Sequence, residues 1–341
     1  MEHVGNEVSA ERKFDPMEQS LSNSELVSIV VPVFNRAHLI ARAVGSLLQQ
    51  THRNLEVIVV DDCSNDDIQG AVAAIGDPRV RLIRRQSNGG AGAARNTGIA
   101  AAKGAYIAFH DSDDICTFEK IERQLTLLKS LPEDFVGVYC PVLFHYSLDE
   151  ADYGFMNSYV RPYAWETPLS GDLSARTLLR NSYNLPTLLV HRQALVDAGL
   201  FDELLRNNED WDLALRLTRV GKLKFLPEPM YLAPISKSPA VRAQHISRLP
   251  RYSAQSYVRI SGKIRHAGLS TPAMAGHYGA AGRYLVMIGH PVLARRFFRA
   301  ALAEKALAPK YWAHLAFTHL PSLHRRILSR ELRLSKTAPL L

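Results

Sequence analysis

Clusters of carboxylates at the ends of apolar runs are the feature that most constrains how this 341-residue chain folds. Two runs typical of buried strands, LEVIVV and YIAF, are each followed by such a cluster. The carboxylates are Asp61 and Asp62 after the first run, and Asp111, Asp113 and Asp114 after the second. Because ligands bind at the carboxyl ends of strands in open parallel sheets, we expect both clusters to face one ligand site.

Strand-like and helix-like runs alternate along the N-terminal part of the chain. The strand-like runs are 27–35, 55–62, 80–85 and 106–111, and the helix-like runs are 37–50, 88–104 and 118–131. Alternation at these intervals predicts an α/β fold with a mostly parallel sheet flanked by helices. The later runs are a strand at 135–144, a strand passing into a helix at 187–199, a helix at 207–221 and a strand at 223–233.

Cysteine usage and hydropathy narrow the class of protein. Hydrophobic residues make up 47% of the chain, which is enough for one large domain or two ordinary ones. Cys63, Cys116 and Cys140 show neither a CxxC pair nor zinc-site spacing, so we expect a reducing, cytoplasmic compartment. No apolar run approaches the ~18–20 residues of a membrane span. Residues 1–26 carry six acids and two cations, and we expect a disordered acidic tail there.

The net charge of +8 is unevenly distributed along the chain. Residues 1–26 and 27–236 each sum to −4, whereas residues 237–341 sum to +16 and contain helix-like segments. We therefore predict a basic helical C-terminal region that attracts phosphoryl groups, anionic lipid head groups or nucleic acid. Segments such as RRFFRAALAEKAL mix cations with apolar residues as interfacial helices do, but a packing domain with a solvated cationic face also explains them. No DNA- or RNA-binding module is visible.

The acidic cluster after YIAF suits a divalent cation that serves a phosphorylated ligand. Mg²⁺ and Mn²⁺ prefer carboxylate and phosphate oxygens, and such a cation would remove the repulsion among Asp111, Asp113 and Asp114. The alternative is an acidic surface turn in which Asp114 helps to start the next helix. The residues alone leave both interpretations open.

Two further segments carry candidate chemistry. Glu209 and Asp210 in NNEDWD lie at a predicted helix start, where carboxylates either serve chemistry or only complement the helix dipole. The glycines of NGGAGAARN either let the backbone approach a phosphate or form a flexible turn. The pattern GxGxxG is absent, which weakens a dinucleotide-binding interpretation, and GxxxxGK[ST], GxSxG and HExxH do not occur either.

Taken in order, these motifs resemble those of family 2 glycosyltransferases, which are inverting enzymes of the GT-A fold. The matching segments are VSIVVPVFNR, SLLQQTHRNLEVIVVDDCSND, NGGAGAARNTGIAAAKGAYIAFHDSDD and NEDWDLALRL. The helix-like segments of the C-terminal third predict an α-helical appendage at 237–341. The resemblance covers residues 27–236 and implies a GT-A domain there, with a Rossmann-like, mostly parallel sheet flanked by helices. It also implies a nucleotide-sugar donor, with a UDP-sugar favoured, and Mg²⁺ or Mn²⁺ as cofactor.

The resemblance further implies roles for individual residues. Those expected to line the nucleotide pocket or contact its base and ribose are Pro32, Val33, Phe34, Asn35, Asp61 and Asp62. Those expected beside the donor diphosphate and sugar are Asn88, Gly89, Arg95, Asp111 and Ser112. The expected metal ligands are Asp111, Asp113 and Asp114. The expected catalytic residues are Asp210, as general base, and its neighbour Glu209.

The implied reaction transfers the sugar with inversion to a glycan or lipid-linked acceptor, as in cell-envelope polysaccharide synthesis. The cation neutralises the departing diphosphate while Asp210 takes the proton of the acceptor hydroxyl. A cytoplasmic protein in peripheral contact with the inner membrane face through 237–341 is expected, with no specific nucleic-acid partner. The alternatives are a non-catalytic nucleotide-sugar-binding or scaffold protein on the same fold, and a polyanion-binding protein that uses the basic region.

One part of the family pattern is not recognisable in this chain. Many relatives carry an Arg- and His-containing segment over the diphosphate after the last sheet strand, whereas this chain reads MYLAPISKSPAVRAQH there. Lys237, Arg242 and His245 are the candidates to replace that segment, and their spacing does not decide among them.

Overall fold

The computed structural model describes residues 25–147, 158–161, 170–179, 181–236, 249–266 and 272–337. Within these ranges it contains two β-sheets and a group of C-terminal helices. The predicted acidic tail lies outside the described residues except for its last two positions. Lys237, Arg242 and His245 lie outside them as well.

The strands, in chain order, supply the members of both sheets. They are β1 (Val27–Val33), β2 (Leu55–Asp61), β3 (Val80–Arg84), β4 (Tyr106–Phe109), β5 (Ile115–Cys116), β6 (Phe135–Tyr139), β7 (Val142–Ser147), β8 (Ser158–Arg161), β9 (Leu189–His191), β10 (Lys222–Phe225) and β11 (Tyr231–Ser236).

The helices alternate with these strands and then continue alone. They are α1 (Ala37–Leu48), α2 (Ile68–Ala73), α3 (Ala91–Ala101), α4 (Lys120–Lys129), α5 (Ser174–Leu179), α6 (Arg192–Asp197), α7 (Glu209–Val220), α8 (Pro250–His266), α9 (Pro272–Met287), α10 (Pro291–Glu304), α11 (Pro309–Phe317) and α12 (Pro321–Thr337), with a 3₁₀ turn at Leu185–Thr187.

The larger sheet has seven strands in the order β10-β6-β9-β4-β1-β2-β3. Neighbouring strands run parallel except for β9, which pairs antiparallel with both β4 and β6. The prediction of a mostly parallel α/β sheet flanked by helices is therefore confirmed.

The interior strand β1 is apolar except for Ser28, because both of its faces are covered. Side chains alternate between the two faces of a strand, and helices cover both faces of this sheet. Ile29 and Val31 are buried in the core on one face, and Val30 is buried in the core on the other. All three side chains are at most 1% exposed, so β1 contributes to two cores at once.

Two sequence runs that predict a single strand are divided between the two sheets. The run 223–233 forms β10 and β11 with Pro227 and Pro229 between them, and the run 135–144 forms β6 and β7 with Pro141 between them. Proline has no N–H to donate to a strand ladder, which interrupts both runs. The single-strand prediction is wrong for both. The second parts enter the smaller sheet, which has the order β5-β11-β7-β8.

The C-terminal helices form a third core that also includes side chains of the α/β part. Ile260, Phe298 and Leu328 of the helical region are buried in one cluster with Leu205 and Trp211. The predicted helical appendage is therefore present and packs on the chain around α7. Its predicted start at residue 237 lies outside the described residues and stays a prediction. None of the described helices has both the length and the apolar character needed to cross a membrane.

Candidate active site

The carboxyl ends of β1, β2 and β4 lie side by side in the larger sheet. Pro32 and Val33 are the last residues of β1, and Val33 is aligned with Asp61 at the end of β2. On the other side of β1, Val30 is aligned with Phe109, the last residue of β4. The loops that follow these three strands therefore leave from the same edge of the sheet, as the sequence predicts.

Asn35 connects the first two loops. Its backbone N–H donates to Ser64 Oγ at 2.9 Å, and its Oδ1 accepts from the Asn65 N–H at 2.8 Å. Asn35 has a φ of +53°, a left-handed conformation that asparagine tolerates better than most residues. The side chain of the preceding Phe34 is 43% exposed, whereas Val33 is buried. Phe34 is thus the aromatic side chain of this loop that a ligand can reach.

Asp61 is fully buried, and protein donors occupy both of its carboxylate oxygens. Arg84 Nη1 donates to Oδ2 at 2.9 Å, and the Ser64 N–H donates to Oδ1 at 2.8 Å. These bonds offset the cost of burying the charge and fix the turn that follows β2.

Asp62 anchors the glycine-rich loop. Its Oδ1 accepts from Arg85 Nη1 and from the Gly89 N–H at 2.9 Å, and its Oδ2 accepts from the Gly90 N–H at 2.6 Å. Gly90 precedes α3 with a φ of +85°, a conformation that glycine adopts without a steric penalty. Asp61 and Asp62 therefore stabilise the loops around the predicted nucleotide pocket by accepting hydrogen bonds from them. Their predicted contacts with a base and ribose stay predictions.

Asn88 is held from two sides. Arg206 donates to the Asn88 side-chain oxygen at 2.8 Å and to its carbonyl oxygen at 3.0 Å, while Asn88 Nδ2 donates to the carbonyl oxygen of Asp62 at 3.2 Å. The loop therefore holds one shape at the start of α3. The first turn of α3 contains no acidic residue, so the positive end of its dipole lies at this edge and suits an anionic ligand.

Arg95 joins two acidic segments that lie far apart in the sequence. Its Nη1 donates to Glu209 Oε1 at 2.9 Å and its Nη2 donates to Asp111 Oδ1 at 3.0 Å. The Arg95 side chain is only 7% exposed. Burial by itself would lower the pKa of Arg95, but the charges of Asp111, Glu209 and Asp210 outweigh burial and raise it. This buried guanidinium brings the loop after β4 to the start of α7.

Asp210 lies in the first turn of α7, which has Glu209, Asp210 and Asp212 at its positive end. Asn181 Nδ2 donates to Asp210 Oδ2 at 2.9 Å, and the Trp211 N–H donates to Oδ1 at 2.8 Å. Burial, together with the neighbouring Glu209 charge, raises the pKa of Asp210 to about 6. A carboxylate of this pKa is ionised at neutral pH and is a stronger base than an ordinary aspartate.

The acidic cluster after β4 divides between the site and the interior. Asp111 and Asp113 are 36% and 26% exposed, and Arg36 Nη1 lies 2.7 Å from Asp113 Oδ1. Asp114 is buried and accepts a hydrogen bond from the Tyr231 hydroxyl at 2.7 Å. Burial and the charges of Asp113 and Asp111 raise the pKa of Asp114 well above its usual value. Asp114 therefore differs from its two neighbours in being directed at the protein interior.

Ser112 is also buried, between the two exposed carboxylates. Its predicted contact with the donor sugar, and the metal-binding role of Asp114, stay predictions that their burial does not favour.

The residues present fit a divalent cation shared with a ligand better than a cage made by protein alone. Among the described residues, no group of three or more His, Cys, Asp or Glu side chains is arranged to hold a metal. Mg²⁺ and Mn²⁺ sites that serve phosphates commonly use one or two carboxylates, with phosphate and water oxygens completing the coordination. Asp111 and Asp113 supply two carboxylates of the right chemistry. Metal binding itself stays a prediction.

Sequence reasoning missed several side chains that complete the site. They are Arg36 on Asp113, Arg206 on Asn88, Asn181 on Asp210 and Tyr231 on Asp114. Arg36 directly follows the VFN motif, which is a local signal. The other three lie far along the chain from their partners, and no pattern around them points to the site.

Known proteins resemble this chain in sequence and in fold. A family model described as Glycosyl transferase family 2 matches residues 28–185. The glycosyltransferase GlyG of Streptococcus pneumoniae is 30% identical over 217 residues, which make up 61% of this chain and 70% of GlyG. The chain belongs to glycosyltransferase family 2.

Another relative in the family is ExoO, the succinoglycan biosynthesis protein of Rhizobium meliloti. It is 35% identical over 232 residues, which cover 65% of each chain. The present chain also spans 61% of the length of two Rickettsia glycosyltransferases that it matches.

Two solved structures share the fold across most of the chain. Staphylococcus aureus TarS in complex with UDP-GlcNAc has a TM-score of 0.61 at 18% identity and covers 91% of this chain and 92% of its own. The mannosyltransferase PcManGT of Pyrobaculum calidifontis, in complex with GDP-Man and Mn²⁺, has a TM-score of 0.52 at 18% identity and covers 88% and 86%. These likenesses show the fold, and the predicted GT-A architecture with C-terminal helices is confirmed.

Proposed function

We propose that the protein is an inverting, metal-dependent glycosyltransferase. It moves a sugar from a nucleotide sugar, with a UDP-sugar favoured, to a glycan or lipid-linked acceptor in cell-envelope polysaccharide synthesis. One observation carries the proposal: Arg95 bonds Asp111 and Glu209 at once, so that Asp210 lies beside the acidic segment after β4. The ExoO name, which refers to succinoglycan biosynthesis, and the UDP-GlcNAc bound to TarS support the substrate classes.

In this proposal Asp210 is the general base. Its carboxylate accepts the proton of the acceptor hydroxyl while that oxygen forms a bond to the anomeric carbon and the nucleoside diphosphate leaves from the opposite face. The pKa of about 6 places Asp210 close to the range in which a base is both ionised and effective. The hydrogen bonds from Asn181 and from the Trp211 N–H orient the carboxylate.

The donor is proposed to lie along the edge formed by β1, β2 and β4. In this proposal the exposed ring of Phe34 contacts the base, and the buried Asp61 and Asp62 lie beside the nucleoside. Asn88, Gly89 and Arg95 lie beside the diphosphate and sugar. The carboxylates of Asp111 and Asp113 would hold a divalent cation, which when bound neutralises charge on the leaving diphosphate.

The test is an assay of donor hydrolysis and sugar transfer with UDP-sugars, with and without Mn²⁺. Asp113→Ala should raise the Mn²⁺ concentration needed for half-maximal rate, whereas Asp210→Asn should abolish transfer while leaving donor binding intact. Asp197→Asn removes an exposed carboxylate of α6 and serves as the matched control. Turnover at the wild-type rate in both site variants would rule out the assigned roles.

The alternative of a non-catalytic nucleotide-sugar-binding or scaffold protein makes a different prediction. It requires a thermal shift with nucleotide sugar and Mn²⁺, because a ligand that binds only the folded state raises its stability, but no transfer to any acceptor. The polyanion-binding alternative requires steeply salt-dependent binding to RNA and no shift with nucleotide sugars.

We also propose cytoplasmic action in peripheral contact with a membrane. Trp312, Leu320 and Leu323 of the C-terminal helical region are 46–56% exposed, and Arg325 and Arg326 follow closely in α12. Exposed apolar and cationic side chains together favour an anionic lipid surface. Co-sedimentation with vesicles containing phosphatidylglycerol, but not with pure phosphatidylcholine vesicles, is expected. Equal binding to both vesicles, or to neither, would contradict this location.

A further inference from the structure

A cavity of about 590 Å³ lies between the start of α7 and the C-terminal helices. Its walls include the rings of Trp211 from α7, Tyr257 from α8 and Tyr311 from α11. The Trp211 ring stacks on that of His277 in α9, with centroids 4.8 Å apart. The Tyr311 ring occupies the space that a Cβ on Gly279 would need, which lets α9 and α11 approach closely beside the cavity.

The lining of this cavity is strongly cationic. Arg283, Lys305 and Lys310 contribute positive charges, and the described residues that line the cavity include no acid. Helix α11 begins at Pro309 on the same wall, with neither a side-chain cap nor an acidic residue in its first turn. The positive end of its dipole adds to the three charges, so the cavity favours an anion.

His277 adds a second, independent requirement. It lines the cavity and is only 3% exposed. Its Nε2 donates to the carbonyl oxygen of Leu178, which leaves Nδ1 as an acceptor. Nδ1 is buried and has no hydrogen-bond partner among the described residues. Burial lowers the pKa of His277, which keeps the ring neutral. A buried acceptor without a donor is costly, so a ligand hydroxyl would stabilise this side chain.

We propose that this cavity binds the phosphate- or diphosphate-bearing sugar of the acceptor substrate. The cations and the start of α11 bind phosphate oxygens, His277 Nδ1 accepts from a sugar hydroxyl, and the aromatic rings cover the apolar face of the sugar. Trp211 directly follows Asp210, so the cavity and the proposed general base share one turn of α7. The inference rests on the proposed function, because it names the class of acceptor for that reaction.

The first test measures binding to the full chain by isothermal titration calorimetry. The probe is GlcNAc diphosphate esterified with a short alkyl chain. The double variant Lys305→Ala/Lys310→Ala removes two cavity charges, and Lys103→Ala/Arg219→Ala removes two exposed charges of the α/β part outside the cavity. Loss of charge-assisted hydrogen bonds should lower the affinity of the first variant for the probe by about tenfold or more. The affinity of the second variant should stay within about twofold of the wild-type affinity. Equal weakening in both would overturn the site.

Two further probes identify which part of the ligand is recognised. Inorganic pyrophosphate should bind more weakly than the sugar diphosphate and should lose affinity in the same cavity variant. An alkyl N-acetylglucosaminide without phosphate should show no measurable binding. Pyrophosphate that binds as tightly as the sugar diphosphate would overturn the assignment of a sugar to His277.

A second pair of variants tests the cavity by volume rather than charge. Gly276 is an exposed glycine of α9 that lines the cavity, and a Cβ placed on it would have open space around it. Gly276→Leu should fill the cavity and abolish binding of the sugar diphosphate. Gly262→Leu places the same side chain on an equally open position of α8 and should leave binding unchanged. Unchanged binding in Gly276→Leu would contradict the proposal.

Donor binding separates failure of this inference from failure of the proposed function. The thermal shift with UDP-sugar and Mn²⁺ should be the same in wild type and in the cavity variants, since none of the changed residues lies at the sheet edge. In transfer assays the cavity variants should raise the KM for the acceptor with little change in kcat. If the cavity variants bind the donor normally and keep the wild-type KM for the acceptor, the proposed acceptor site is wrong but the proposed function stands. If the wild-type protein does not bind the donor, the proposed function itself is wrong.

Discussion

The acidic edge of the sheet and the basic helical region use their charges in opposite ways. At the edge, Asp61 and Asp62 are bound by arginines and backbone N–H groups, and Arg95 is held between Asp111 and Glu209. In the helical region, cations line a cavity whose described lining contains no acid. Paired charges fix loop geometry, whereas a concentration of one sign attracts a ligand. We therefore infer that the charges of the sheet edge position the side chains of the active site, whereas the cations of the cavity attract an anionic ligand.

The two regions meet through ion pairs as well as through the shared core. Arg259 and Lys263 of α8 bind Asp202, and Lys263 also binds Asp212 of α7. These contacts lie next to the turn that carries Asp210. Substitutions in each region can measure how far it depends on such pairs, beginning with the largest expected effect.

Replacing Arg95 should have the largest effect. Arg95→Met leaves two carboxylates without their shared partner, and breaking a buried charge pair costs about 3–5 kcal/mol of stability. Urea unfolding should show this loss, and transfer activity should fall because Glu209 and Asp111 are no longer held together. Arg219→Met removes an exposed arginine from α7 and should change stability little. A stable, active Arg95→Met protein would mean that the acidic edge does not need pairing.

Removing the charge of Asp202 tests the contact between the regions. Burial by itself would raise the pKa of Asp202, but hydrogen bonds from Arg259 and Lys263 outweigh it and lower the pKa to about 2. Because this pKa lies below the unfolded value, the stabilisation is present at neutral pH and is lost as pH falls towards 2. Asp202→Asn should cost about 1.5–3 kcal/mol in urea unfolding at pH 7.

The pH dependence of that difference is the control for Asp202→Asn. Wild type and variant should become closer in stability at pH 3, where the wild-type carboxyl is mostly protonated in the unfolded state and still mostly ionised in the folded state. A constant gap between pH 7 and pH 3 would show that the side chain contributes by packing rather than by charge.

The pH profile of catalysis tests the acidic edge directly. Asp210 acts as a base only when ionised, so kcat/KM should fall as pH decreases through about 6. Below that value the fall should approach about tenfold per pH unit. Donor affinity measured over the same pH range separates this effect from loss of substrate binding. A kcat/KM that does not change between pH 5 and pH 8 would show that Asp210 is not the general base.

The smallest effect is expected for the glycine loop. Gly90 has a φ of +85°, and a Cβ there would lie 2.9 Å from Arg206 Nη1. Gly90→Ala should cost about 1–2 kcal/mol for the left-handed conformation and should also weaken donor binding. Gly76 has a φ of +65° with open space around it, outside the loops of the site. Gly76→Ala should lose similar stability with unchanged donor affinity. Equal donor affinity in both variants would show that the glycine-rich loop does not take part in donor binding.

The alternation of apolar strands with helices made the sheet predictable from the sequence. Strand and helix periodicities are local properties, so the runs ending at Asp61 and Asp111 could be assigned without knowing their neighbours. Which sheet a strand joins depends on residues far away in the sequence. For this reason each of the two proline-containing runs was predicted as a single strand. The resemblance supplied Asp210 as a candidate, but only the fold shows that the bonds of Arg95 to Glu209 and Asp111 place it beside the loop after β4.

The order of residues along the chain was enough to establish the family, the α/β architecture, the placement of acids after strands and the basic character of the C-terminal third. Three features became visible only in the folded protein. Asp114 is directed inward at Tyr231, Arg95 bridges residues 16 and 114 positions away, and His277 Nδ1 lacks a partner among the described residues in a cationic cavity. The difference is one of range, because hydrophobic periodicity and charge are local to the chain. Burial, pKa and hydrogen-bond satisfaction depend instead on residues that the fold brings together.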